Sequence, residues 1–157
     1  MVFRSDRPSN NRGFTIIEVL LVAVIIGILA SMALPKLQRA LERARIARAI
    51  GDVDAIGWDV LEYELVNGSF PSSLAAVGRA NLLDPWGNPY VYLKIKGASG
   101  GVGQMRKDRF LVPVNSDFDL YSMGPDGKSA SALTAKISQD DIVRANDGGF
   151  VGLGADF

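Results

Sequence analysis

The chain contains no cysteine and no histidine. Without cysteine there is no disulfide framework, and cysteine usage says nothing about the redox compartment. Without histidine the commonest general base and the commonest transition-metal ligand are missing. A Ser-His-Asp or Cys-His catalytic site inside the chain is therefore excluded. Any metal site would have to be built from oxygen ligands, which favours calcium or magnesium over zinc. Excess charge is lacking too: 17 Lys and Arg residues balance 17 Asp and Glu residues. Bulk charge thus supplies no attraction to nucleic acid. What is present is a chain of 157 residues, enough for one small soluble domain and one long apolar segment.

That segment is the 21-residue run from Phe14 to Leu34, which carries a single charge, Glu18. Its length suits a helix that spans a bilayer. A carboxylate at the centre of a membrane helix costs roughly 2.5–3.5 kcal/mol on insertion scales, so a chain that keeps one near the start is expected to provide it with a partner. The preceding residues are polar, with Arg4, Arg7 and Arg12 against Asp6. A basic stretch before an apolar run is the outline of a secretory signal peptide, and Ser31-Met32-Ala33 resembles a small-x-small cleavage site. The run is longer than a usual signal core, however, and Glu18 interrupts it. A plain signal anchor explains the length but gives Glu18 and Gly13 no role.

A third reading rests on resemblance. Arg12-Gly13-Phe14-Thr15-Ile16-Ile17-Glu18-Val19-Leu20, continuing through Gly27 to Pro35, resembles the N-terminal signature of type IV pilins and type II secretion pseudopilins. The resemblance implies that prepilin peptidase cuts between Gly13 and Phe14 on the cytoplasmic side and methylates the new N-terminal Phe14. It also places Glu18 at the glutamate that is fifth in the mature chain. Cleavage creates an amine that is largely protonated at neutral pH. Inside an apolar bundle, pairing that cation with the Glu18 of a neighbouring subunit would offset part of the desolvation of both. A wrong axial register would strand the carboxylate, so Glu18 would set register as a lone polar residue does in a coiled coil. The positive-inside rule taken alone points the other way, because Lys36, Arg39, Arg43, Arg45 and Arg48 follow the run. The resemblance puts this side outside the cytoplasm and leaves those cations free for another use.

Pro35 is expected to kink or locally break the helix, which resumes from Lys36 to about Val66. Ile46, Ile50, Val53, Gly57, Val60, Leu61, Glu64 and Leu65 mark a face at 3–4 residue spacing, expected to pack on the soluble domain. Gly51 and Gly57 weaken this helix by about 1 kcal/mol each relative to alanine. Some fifty helical residues would reach about 75 Å, a form suited to a polymer. The stretch from Lys36 to Arg48 is basic apart from Glu42, whereas Asp52, Asp54, Asp59, Glu62 and Glu64 make the next stretch acidic. Such segregation is either a solvated face or a means for staggered neighbours to align opposite blocks.

Asn67-Gly68-Ser69-Phe70-Pro71 ends the helix. Leu74 to Leu83 reads as a connection and the turn formers of Asp84-Pro85-Trp86-Gly87-Asn88-Pro89 as a loop. Strands are predicted at Tyr90–Leu93, Phe110–Val114 and Phe118–Ser122, with Pro113 suggesting an edge. The glycine-rich Gly97–Gly103 stretch lacks the lysine of a P-loop and precedes no clear helix, so it reads as a flexible connection. The fold class is α+β: a long N-terminal helix, half membrane-spanning and half amphipathic, packed on a small antiparallel sheet with a C-terminal loop region. The expected division is a leader over 1–13, a transmembrane and polymerisation helix over 14–35, and a periplasmic domain over 36–157. Within that domain, 36–66 is helix and 67–157 is loop and sheet.

Asp84-Pro85-Trp86-Gly87-Asn88-Pro89-Tyr90 and Asp119-Leu120-Tyr121-Ser122-Met123-Gly124-Pro125-Asp126-Gly127 together resemble the major pseudopilin of type II secretion. Major type IV pilins usually carry a C-terminal cysteine pair, which this chain lacks. The resemblance implies a calcium ion in the C-terminal loop, held by the Met123 carbonyl, Asp126, Asp140 and Asp141. The segment between Asp126 and Asp140 is longer than the family's usual loop. The residues alone are equally consistent with a plain turn at Pro125-Asp126-Gly127 and a helix N-cap at Asp140-Asp141. Asn146-Asp147-Gly148-Gly149 reads as another turn. The implied function is structural, without catalysis: a homo-oligomeric helical filament in the periplasm, anchored in the inner membrane before assembly. Its partners would be prepilin peptidase, the inner-membrane assembly platform and minor pseudopilins, and it would drive protein export. A type IV pilin for adhesion or motility is the alternative within the family. A signal-anchored periplasmic hydrolase is the alternative of another class, and the lack of histidine argues against it.

Overall fold

A computed structural model describes residues 13–97 and 102–157. The leader residues Arg4, Asp6, Arg7 and Arg12, and the centre of the Gly97–Gly103 stretch, lie outside the described residues. The chain forms two compact units, the first ending at Leu41 and the second running from Glu42 to Phe157.

One helix, α1 (Ile16–Asn67), contributes to both units and is not interrupted at Pro35. Its start is fixed by Thr15, whose Oγ1 accepts the Glu18 N–H at 3.3 Å. Its end falls at Gly68, which takes the left-handed conformation (φ 71°) common just past a helix terminus. No residue of α1 before Glu42 is buried. After Glu42 the buried residues are Ala49, Val53, Ile56, Gly57 and Val60, at helical spacing. Ile46, Ile50 and Leu61 pack beside them, as the spacing predicts. Leu65 does not: it is 83% exposed, because the chain turns away at Gly68 before that last turn can be covered.

The sheet is antiparallel in the order β1 (Val91–Lys94), β2 (Phe118–Ser122), β3 (Ile142–Ala145), β4 (Phe150–Leu153). Tyr92 pairs with Leu120, Tyr121 with Val143, and Val143 with Gly152. Alternate residues of the central strands serve two cores. Phe118, Leu120 and Ile142 pack with Val53, Ile56, Val60, Phe70 and Tyr90 on the helix side. The rings of Phe70 and Tyr92 lie 5.5 and 5.7 Å from Phe118. Tyr121, Val143 and Ala145 face a smaller cluster with Val114 and Leu133. Burying each such Val, Ile or Phe contributes roughly 1.5–3 kcal/mol.

The α+β class and the strands at residues 91–94 and 118–122 agree with the sequence reading. Phe110–Val114 is not a strand. Asp108 and Leu111 bond each other's backbones across a tight turn, and Phe110 is fully exposed. Asp140-Asp141 caps no helix and leads directly into β3. Asn146–Gly149 is a turn, and it joins β3 to β4.

Two glycines give opposite expectations. A Cβ on Gly124 (φ 63°) would lie 2.3 Å from the Asp140 carbonyl oxygen, whereas one on Gly51 would meet nothing within 4 Å. Gly124→Ala should destabilise the chain by roughly 2–5 kcal/mol through strain and overlap. Gly51→Ala should stabilise it by about 1 kcal/mol through helix propensity. Thermal unfolding of the detergent-solubilised chain checks both, with midpoints moving about 2–4 °C per kcal/mol.

Candidate functional site

The first half of α1 presents an apolar surface on every side. Ile16, Ile17, Val19, Leu20, Leu21 and their successors through Leu34 are all exposed in the single chain. This stretch is long and apolar enough to cross a membrane. Gly13 and Phe14 precede the helix outside any regular element, both exposed, so the peptide bond between them is not tied into the helix. Glu18 sits in the first turn, where a negative charge meets the positive end of the helix dipole. Among the described residues it makes no ion pair. The Thr15-x-x-Glu18 spacing is that of a capping box, a local signal of the helix start.

The two segments of the second unit that carry the resemblance meet in space. Asp84 is buried, and its Oδ1 accepts the N–H groups of Trp86 at 3.0 Å and Asn88 at 2.8 Å. Its Oδ2 accepts the Ser122 hydroxyl at 2.6 Å. Asn88 Nδ2 donates to the Gly124 carbonyl at 2.9 Å, and Trp86 Nε1 to Glu42 of α1 at 3.1 Å. The Asp84 loop therefore ties the end of β2 to the helix. An aspartate two residues before a Trp-Gly pair is a recognisable Asx-turn, so this knot has a local sequence signal.

Of the four positions expected to hold calcium, Asp141 is held by an arginine, and Met123 lies beside Gly124, where a Cβ would meet Asp140. Asp126 Oδ1 accepts the Lys128 N–H at 2.8 Å, the bond of a plain turn. Asp126 and Asp140 line one open depression, which Lys136 shares. Met123 is half-buried at the end of β2. Asp141 is fully buried on another side, where its Oδ2 meets Arg106 Nη2 and Ser129 Oγ, each at 2.5 Å. Among the described residues no group of three or more acids could hold a metal ion. A divalent ion on Asp141 would also face the repulsion of the adjacent guanidinium. As placed, Asp141 faces Arg106, while Asp126 and Asp140 face the open depression.

Two buried arginines carry no local mark in the sequence. Arg144 donates to Asp117 at 2.8 and 2.6 Å and lies 4.0 Å from the Phe118 ring centroid. Arg106 is 3% exposed and its guanidinium carbon lies 3.7 Å from the Tyr121 centroid. Neither has a local signal, since each partner is 12 or more residues away in sequence. Burial pushes the Asp119 carboxyl above its usual value, against the pull of the Arg106 N–H and the Asn115 amide. Burial also raises Asp141, with Ser129 and Arg106 pulling it back. For Asp147 burial is outweighed by the Ser116 hydroxyl and N–H, at 2.7 and 2.6 Å, and by Asp117 and Arg144, so its carboxyl lies below the usual value.

A family model described as the prokaryotic N-terminal methylation motif matches residues 8–34. Type II secretion system core protein G of Pseudomonas aeruginosa is 33% identical over 141 residues, 76% of this chain and 87% of that protein. The chain belongs to the core protein G family, the major pseudopilins. The core protein G of Escherichia coli is 31% identical over 152 residues, 83% of this pseudopilin and 88% of that protein. A fimbrial protein of Neisseria meningitidis is 29% identical over 143 residues, 87% of this chain and 80% of its own. No solved structure matches the pseudopilin significantly.

The lowered Asp147 carboxyl gives a pH expectation. A folded-state value below the unfolded one adds stability above the unfolded value of about 3.9, lost as pH falls through the folded value. Asp147→Asn, which tolerates the left-handed backbone at that site (φ 53°), should be less stable than wild type at neutral pH. Melting curves of the two chains from pH 7 to pH 3 should converge below the usual carboxylate range.

Proposed function

We propose that this pseudopilin is the processed, N-methylated subunit of a type II secretion pseudopilus. Residues 1–13 would be the leader, 14–35 the membrane and polymerisation helix, and 36–157 the periplasmic domain. Before assembly the subunit would sit in the inner membrane as a single-pass protein with its C-terminal domain in the periplasm. Assembly would build a helical filament of copies of this chain, in contact with minor pseudopilins and the inner-membrane platform. Growth of that filament would push or gate exported protein through an outer-membrane channel. The role is mechanical, with no chemistry at the subunit itself.

The observation that carries this reading is the N-terminal helix: apolar on all sides, uncovered in the single chain, and bearing one acid that has no ion-pair partner among the described residues. Lipid can cover the apolar surface of a monomer, but it offers Glu18 no counter-charge. A second copy offers both a covering surface and, after cleavage at Gly13, the amine of Phe14. A surface pilus of type IV pilins is the second reading, favoured by the likeness to the fimbrial protein. Filaments confined to the periplasm and loss of exported protein in a deletion strain would support the secretion reading, whereas surface filaments and lost motility would support the other.

Two results are expected. Intact mass of the mature protein should correspond to a chain beginning at Phe14 with one added methyl group on its nitrogen. A chain beginning after Ala33 would instead identify a secretory signal peptide and remove the polymerisation helix. Glu18→Leu should insert and accumulate normally, because it only makes the helix more apolar. Filament yield, measured against total protein in sheared material, should fall more than roughly tenfold with the loss of a buried charge pair. Normal yield would leave the acid without this role.

A further inference from the structure

Among the described residues no group of three or more acids could hold a metal ion, but the loop before β3 faces a buried cation, Arg106. We propose that Arg106 takes the place of a calcium ion in this pseudopilin, so that the loop between β2 and β3 is closed by a side chain and the fold does not depend on calcium. The groups around its guanidinium are the kinds of oxygen donor a calcium ion collects. Nη2 meets the Asp141 carboxylate at 2.5 Å, and Nη1 meets the Ser129 hydroxyl at 2.8 Å and the Ala130 carbonyl. Ser129 in turn donates to Asp141 at 2.5 Å. One cation thus gathers a carboxylate, a hydroxyl and a main-chain carbonyl from two ends of a single loop.

The placement of Arg106 is itself built. Its N–H donates to Asp119 at 2.7 Å, and its carbonyl accepts from Val114 at 2.9 Å. The next residue, Lys107, is paired with the loop through the Ser131 carbonyl and the Leu133 N–H, both at 2.9 Å. The Tyr121 ring covers the guanidinium face. The loop between β2 and β3 therefore returns across the outer face of the sheet and lies against the segment that carries Arg106. Arg106 Nε and Asp141 Oδ1 are buried without partners. They are one donor and one acceptor of the same ion pair, so its charge is balanced within the chain.

Thermal unfolding of the full wild-type chain in detergent, with millimolar calcium chloride and with chelator, tests the proposal. The midpoints should coincide. An ion held at a hundred times its dissociation constant would raise the midpoint by roughly 5–10 °C, and such a rise would overturn the proposal. A double-mutant cycle gives an independent reading. Arg106→Gln and Asp141→Asn should each lower the midpoint by more than about 6 °C, and the double variant should lie no lower than the worse single. Additive losses would show that the two side chains act separately and would also overturn it. If neither variant folds, the wild-type comparison alone decides.

Discussion

One helix in this protein has to satisfy two environments, and the rest of the structure follows from how it does so. From Ile16 to Leu34 it exposes apolar side chains all round, which only lipid or other apolar helices can cover. From Glu42 onward it buries a single stripe, Ala49, Val53, Ile56 and Val60, against one face of a four-stranded sheet. The second half gains its stability within the chain. Among the described residues the first half finds no cover, and Glu18 finds no counter-charge. Family membership in the major pseudopilins agrees with a helix that needs cover from outside the chain.

The unit from Glu42 to Phe157 is small and uses charge where a larger domain would use more hydrocarbon. Arg144 and Arg106 lie under the sheet's two faces, each on an aromatic ring and each against a carboxylate. Breaking such a pair by removing one partner costs about 3–5 kcal/mol, because the remaining charge is stranded. The pairs therefore fix which loops lie against the sheet. Arg144 holds the β2 entry through Asp117, and Arg106 holds the loop that leads to β3 through Asp141. Asp84 does the same with neutral donors for the loop before β1.

Legibility in the sequence follows the range of the interaction. The apolar run, Glu18, the helical face and the turn at Asp84 are local patterns, and all could be read from residues within a few positions of each other. The strand at Phe118–Ser122 was readable although it is buried on both faces, because its aromatic and aliphatic residues are dense. Strand β3 was not, since Ile142-Val143-Arg144-Ala145 contains a charge whose partner, Asp117, is far away in sequence. Phe110–Val114 has the composition of a strand, but no neighbouring strand pairs with it there. The Arg106–Asp141 pair spans 35 residues and leaves no local mark, so the sequence offers Asp141 only the metal role that the resemblance implies or a helix cap.

The central claim is that the acid in the apolar helix sets the register of one subunit on the next. A filament reconstruction by electron cryomicroscopy, at a resolution that places side chains, measures this directly. The account predicts the Phe14 nitrogen of one subunit within hydrogen-bonding distance, about 2.7–3.2 Å, of a neighbour's Glu18 carboxylate. A Glu18 that faces lipid, or a Phe14 amine paired with some other group, would contradict it.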